Sequence, residues 1–146
     1  GRSMVDKTEK PRITHIALKV EDADQAAKTF VDVFGFTETD RRRSNQDNHL
    51  SVHLTDGHLD LALLSYDSGD AVGMADAAGE GFCIHHFGID VGEPEEFAAK
   101  LENVGAEFIK KSAGPESPTM MFRVPGGGGI TELAPHGWHE RKKGNA

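Results

Sequence analysis

The feature that most constrains this chain is an internal repeat. Residues 13–20 read ITHIALKV and residues 84–91 read IHHFGIDV, so an offset of 71 lays Ile13 on Ile84, His15 on His86 and Val20 on Val91. Both segments alternate apolar and other side chains, the pattern of a strand with one buried face. A helix signal follows each. After the first, Asp22 can cap a helix whose apolar stripe is Ala26, Ala27, Phe30, Val31 and Phe34. After the second, Pro94 suits a first helical turn, and Phe97, Ala98, Leu101 and Val104 recur at helical spacing. Gly35 and Gly105 stand where a positive-φ residue ends each helix.

Those glycines are 70 apart, and the same offset continues through Phe36 and Ala106, Gly57 and Gly127, and Leu63 and Leu133. Three strands are expected after each helix: near 36–43, 48–55 and 58–66, then near 106–111, 119–124 and 129–134. Asp56-Gly57 is a tight hairpin signal, and the Gly126–Gly129 run occupies the equivalent turn. No helix follows that glycine run, so it is not a phosphate cradle. The expected fold class is α+β: two βαβββ modules forming a curved eight-stranded sheet with helices outside. The first module spans 12–66 and the second 83–137, joined by a linker over 67–82. Residues 1–11, which open on a cloning remnant, Gly1-Arg2-Ser3, and residues 138–146 read as loose ends.

Composition narrows the function. A net charge of −8 disfavours a nucleic-acid partner, because phosphate binding needs a basic face. The dense basic run Arg41-Arg42-Arg43 reads as a solvated strand end rather than an anion contact. No apolar run approaches the ~20 residues of a membrane span, and no secretion signal is visible. A lone cysteine, Cys83, excludes an internal disulfide and reads as a packed small hydrophobe, consistent with a reducing cytoplasm. Eight histidines in an acidic chain invite a search for metal ligands.

Side-chain alternation decides which of them can meet. On the first strand Ile16, Leu18 and Val20 form the face that a helix covers, which turns His15 the other way. On the fifth, Phe87, Ile89 and Val91 are covered and His86 points opposite; His85 then falls on the covered face and is structural. On the fourth, Leu59, Leu61 and Leu63 are covered, leaving Asp60, Ala62 and Leu64 inside. On the eighth, Leu133 matches Leu63, so Glu132 matches Ala62 and shares the inner face with Ile130 and Ala134. His15, His86 and Glu132 therefore project together into the concave side of the sheet. A carboxylate and two imidazoles buried there need a partner, and one divalent cation satisfies all three.

With THIALKV and AAKTFVDVFGF, DGHLDLALL, HHFGIDV and FAAKLENVGAEF, and GGGGITELAP, the chain resembles the vicinal-oxygen-chelate superfamily. That superfamily includes glyoxalase I, methylmalonyl-CoA epimerase, extradiol dioxygenases, fosfomycin-resistance enzymes and bleomycin-binding proteins. The resemblance covers about residues 12–137. It implies a metal held from the first, fourth, fifth and eighth strands, which are His15, Ala62, His86 and Glu132 here. Ala62 cannot bind a metal, whereas glyoxalase I and the epimerase place Glu or Gln there. Asp60, two residues earlier, is expected at the surface or behind the ligands.

The resemblance implies one divalent metal (Fe, Mn, Ni or Zn) and a small substrate chelated through neighbouring oxygens. Lyase or isomerase chemistry, with Glu132 as catalytic proton carrier, and Fe(II) extradiol-type dioxygenation stand nearly level. The dioxygenases use a His and a Tyr that the stretch KKSAGPESPTMMFRV lacks. The alternative is a metal-free binding protein of the bleomycin-resistance type. Met121, Phe122 and Trp138 are candidates to line the substrate pocket, and His53, Tyr66 and His136 are possible acids or bases near it. A homodimer is expected, as relatives commonly form one.

Overall fold

The computed structural model describes residues 9–45, 48–68, 73–112 and 119–139. Residues 1–8, 46–47, 69–72, 113–118 and 140–146 lie outside the described residues, and with them the expected N-terminal remnant and parts of the expected linker and tail. The element order is β1 (Arg12–Lys19), α1 (Ala23–Phe34), β2 (Thr37–Ser44), β3 (His49–Thr55), β4 (Asp60–Tyr66), β5 (Cys83–Val91), α2 (Pro94–Asn103), β6 (Glu107–Lys111), β7 (Met120–Arg123) and β8 (Ile130–Pro135). This is strand–helix–strand–strand–strand, twice, as the repeat predicts. All eight strands form one sheet in the order β2-β3-β4-β1-β5-β8-β7-β6.

The local signals act as expected where they are strong. Asp22 caps α1, its side chain accepting from the backbone N–H of Gln25, and Gly35 closes the helix at φ 73°. Glu93 stands at the equivalent start of α2 without a side-chain capping bond, and Pro94 opens that helix instead. Asp56 Oδ1 accepts from the backbone of both His58 and Leu59, which fixes the β3–β4 turn.

Each module has its own core between helix and sheet. Under α1 lie Ala23, Ala27, Val52, Leu54 and Leu63, with Leu18, Phe30 and Leu61 packed against them. Under α2 lie Val91, Ala98, Met120, Phe122 and Leu133, with Ile89, Phe97 and Leu101. Phe122 is fully buried and meets Phe108 edge-on, so it is a core residue and not a pocket residue. Alternation along β7 explains the correction: Met120 and Phe122 face α2, and Met121 faces the other way.

The modules meet along β1 and β5, which pair antiparallel, and β1∥β4 and β5∥β8 pair parallel on either side. The central ladder carries two bulges. Ile13 pairs with Ile89 and His15 with Gly88, leaving Thr14 as an extra residue on β1. Ala17 pairs with His86 and Leu18 with Ile84, leaving His85 as an extra residue on β5. Thr14 and His85 are related by the same 71-residue offset as the strands. A bulge resets alternation, so both side chains turn inward while Ile13 and Ile84 are left 59% and 65% exposed. His85 is thus not on the helix-covered face, as simple parity has it.

Candidate metal centre and its cavity

Side chains from all eight strands line one cavity of about 290 Å³ on the side of the sheet away from the helices. A single cavity touching both edge strands and the centre requires a curled sheet. Its floor is the β1–β5 ladder, and there the three residues singled out by alternation converge. His15 Nε2 lies 3.0 Å from His86 Nε2, and Glu132 Oε1 lies 3.7 Å from the first and 3.8 Å from the second. All three residues are buried.

Hydrogen bonding dictates which ring atoms carry protons. Asp60 pairs with His15 across the β1–β4 ladder, and His15 Nδ1–H donates to its Oδ2 at 2.5 Å. His15 Nε2 therefore presents a lone pair. His85 Nε2–H donates to the carbonyl of Met74 at 2.7 Å, so its Nδ1 must accept, and His86 Nδ1–H donates to it at 2.8 Å. His86 Nε2 then also presents a lone pair. Burial holds both rings neutral: it pushes His86 down to about 3, and with the neighbouring His139 it lowers His15 despite Asp60.

Burial opposes the charge of Glu132, but His139 beside it prevails and holds its carboxyl below the usual range. Its Oε1 is buried and makes no hydrogen bond. Two imidazole lone pairs and a carboxylate oxygen thus face one another with no proton between them. His139, 3.4 Å from Oε1, offsets the carboxylate charge from one side, and a cation among the three donors would engage both lone pairs as well. Two nitrogen or oxygen donors on one ion at about 2.0–2.2 Å are roughly 3–4 Å apart, which matches the three separations. The donor set suits a divalent metal.

Three further residues set the ligands in place. Asp60 is fully buried and accepts from His15 and, at 2.9 Å, from His53. Both bonds hold its carboxyl far below the usual range in spite of burial. Its place is behind a ligand and not at the surface. His85 orients His86. His139 stacks on His15 with ring centroids 4.2 Å apart and planes 3° from parallel. Its Nδ1 lies 2.8 Å from Asp90 Oδ1 and 2.9 Å from Thr14 Oγ1, and its Nε2 faces Glu132 Oε1 at 3.4 Å. Burial opposes its charge, but Asp90 and Glu132 prevail and raise its pKa to about 9.

Sequence reasoning placed His139 in a loose tail. In the structure, residues 136–139 turn back after β8, with Gly137 at φ 89°, and carry His139 into the floor. One sequence signal pointed to it: Asp90 shares the inner face of β5 with His86, and a buried acid there needs a partner. Gly88, between them, gives His139 room. A Cβ on Gly88 would meet His139 Cε1 and His15 Cβ at 3.0 Å and Glu132 Oε1 at 3.1 Å.

Of the expected pocket residues, Met121 and Trp138 line the cavity, as do His53 and Tyr66. His136 is not among the lining residues; its Nε2–H donates to the carbonyl of Glu9. Cys83 is half-buried at the start of β5.

Comparison with known proteins places this architecture. The profile of the glyoxalase/bleomycin resistance protein/dioxygenase superfamily matches residues 14–122. The chain belongs to that superfamily. No curated protein matches it. Among solved structures it is similar to a hypothetical protein, BH1468, from Bacillus halodurans C-125, at TM-score 0.74 and 17% identity, over 87% of this chain and 95% of that one. It is also similar to a methylmalonyl-CoA epimerase in complex with methylmalonyl-CoA and NH4+, at TM-score 0.70 and 20% identity, over 88% and 96% of the two chains. A third is methylmalonyl-CoA epimerase from Mycobacterium tuberculosis, at TM-score 0.69 and 18% identity, over 84% and 86%. At these identities the likeness is one of fold. Among the described residues no helix is long and apolar enough to cross a membrane.

Proposed function

We propose that this protein is a divalent-metal-dependent enzyme acting on a small substrate through two neighbouring oxygens, with His15, His86 and Glu132 holding the metal. The observation that carries the proposal is the convergence of two Nε2 lone pairs and the unbonded Glu132 Oε1 within 3.0–3.8 Å. A bound Fe, Mn, Ni or Zn supplies Lewis acidity toward the chelated oxygens. The chain supplies everything else. Asp60 and His85 fix the ligand tautomers, and His139 positions Glu132. Leu64, Met121 and Trp138 supply apolar lining to the cavity. In an isomerase or lyase, Glu132 carries a proton between neighbouring substrate atoms. His53 backed by Asp60, and His139 backed by Asp90, line the same cavity and are placed to move a second one.

A dioxygenase is the second reading, favoured by Ala62. With no donor in the fourth-strand slot, the ligand set is two histidines and one carboxylate, which leaves positions for both substrate and O₂. Elemental analysis of protein purified without added ions tests the metal. About one equivalent of transition metal, lost in His86→Ala, is expected. A metal-free protein with no activity gained on adding ions would overturn the enzyme reading and leave a small-molecule binder. O₂ uptake across a panel of catechols then separates dioxygenase from isomerase. Exposed Ile13, Phe82 and Ile84 support a homodimer, which sedimentation checks.

A further inference from the structure

Two cations at the rim of the cavity have no part in the metal chemistry. β2 and β6 are the opposite edges of the sheet, yet Arg42 of β2 and Lys110 of β6 line the same cavity. Curling has brought the two edges face to face across its mouth.

Alternation sorts the basic residues of each edge strand into an outer and an inner set. The outer ones are explained by the fold. Arg41 donates to Asp24 of α1 and to Glu38, and Lys111 donates to Glu95 of α2 at 3.0 Å. This is one contact made twice, since Arg41 and Lys111 are 70 apart and Asp24 and Glu95 are 71 apart. It ties each edge strand to its own helix.

The inner cations do not obey the repeat. Arg42 matches Ser112, and Lys110 matches Asp40. Ser112 and Thr119 line the cavity beside Lys110. Arg42 meets Asp40 through Nη2 at 3.1 Å, which uses one of its five N–H groups. The charge balance is also unusual. Among the described residues, Glu132 is the only acid that lines the cavity, and it is assigned to the metal. In a protein of net charge −8, Arg42 and Lys110 both line this cavity.

We propose that the substrate is a small organic acid whose oxyanion, a carboxylate or a phosphate-type group, lies at the end remote from the metal and is held by Arg42 and Lys110. The Arg42 fork matches a pair of oxygens on such a group, and the Ser112 and Thr119 hydroxyls can donate to it. Leu64, Met121 and Trp138 pack the apolar stretch between the two ends. A cavity of about 290 Å³ restricts the ligand to modest size. The inference rests on the chelation reading for the other end of the substrate.

Trp138 is the only tryptophan, so its fluorescence reports binding directly. Zn²⁺-loaded protein is titrated with 2-oxoglutarate, with its terminal N,N-dimethylamide, which has no N–H to close onto the ketone, and with 2-oxo-4-phosphonobutanoate. All three offer the same chelating end. A remote anion is expected to bind at least about tenfold more tightly than the amide, the scale of a charge-assisted hydrogen bond. Whether carboxylate or phosphonate binds better identifies the group. Arg42→Gln and Lys110→Gln should each shrink the preference, and together abolish it, with amide affinity unchanged. Arg41→Gln should keep it. Equal binding of anion and amide, a preference that survives the double variant, equal loss in Arg41→Gln, or no binding of any probe would each overturn the inference. Metal-free protein separates the two readings. A charge preference with no dependence on zinc sinks the chelation reading alone, and zinc-dependent binding without charge preference sinks this one alone.

Discussion

Offset by 71 residues, the inward positions of β1 and β5 read Thr14, His15, Ala17 and Lys19 against His85, His86, Gly88 and Asp90. Offset by 70, the inner position of β4 is Ala62 where that of β8 is Glu132. The first module thus contributes one metal ligand to the proposed site and the second contributes two. Lys19 and Asp90 show the same divergence. Lys19 Nζ donates to the linker carbonyls of Ala75 and Gly79, whereas Asp90 holds His139. Outward positions diverge little: Leu63 and Leu133, or Val20 and Val91, stay apolar in both halves. Each half must bury that face under its own helix, so burial constrains the outer side chains. Inward side chains are free to differ because the cavity, not the core, receives them.

Breaking the asymmetry at its strongest point should have the largest effect. Glu132→Ala makes the second module resemble the first, and metal affinity should fall by about a hundredfold or more by competition with a chelator, since a charged ligand is removed. Ala62→Glu makes the first resemble the second, and should tighten metal binding while slowing turnover by filling an open position. Next is Asp60→Asn. His15 loses the carboxylate that fixes its tautomer, and metal affinity should drop about 10–100-fold. A smaller effect is expected from exchanging residues at one repeat position. Gly88→Ala should cost about 1–3 kcal/mol in urea unfolding, because its Cβ presses on His15 and His139. Ala17→Gly, the equivalent change in reverse, should cost about 0.5–1 kcal/mol from backbone entropy, with metal affinity less affected. The smallest contrast lies at the helix starts. Asp22→Ala should lose about 1 kcal/mol with its capping bond, and Glu93→Ala, which has no such bond to lose, close to nothing by the same measurement.

Much of this molecule was legible in one dimension. The repeat, the period of each element and the cap and turn residues are local properties, and they specify two βαβββ modules. Alternation is also local, and it brought His15, His86 and Glu132 to one face because the bulges at Thr14 and His85 lie before, not between, those histidines and the apolar residues that follow them. Other residues were decided by contacts that local pattern does not encode. The bulge at His85 depends on the register of β5 against β1 and reverses the face that counting assigns. Phe122 and Met121 lie on opposite faces of β7 by alternation, and the packing of α2 decides which of those faces is core. His139 reaches the site because residues 136–139 fold back onto Asp90 and Thr14, 49 and 125 positions away. Arg42 lines the cavity because the sheet curls. Short-range preferences set the parts and their faces; strand register, curvature and chain reversal are collective results of packing, and they selected the neighbours of the candidate metal.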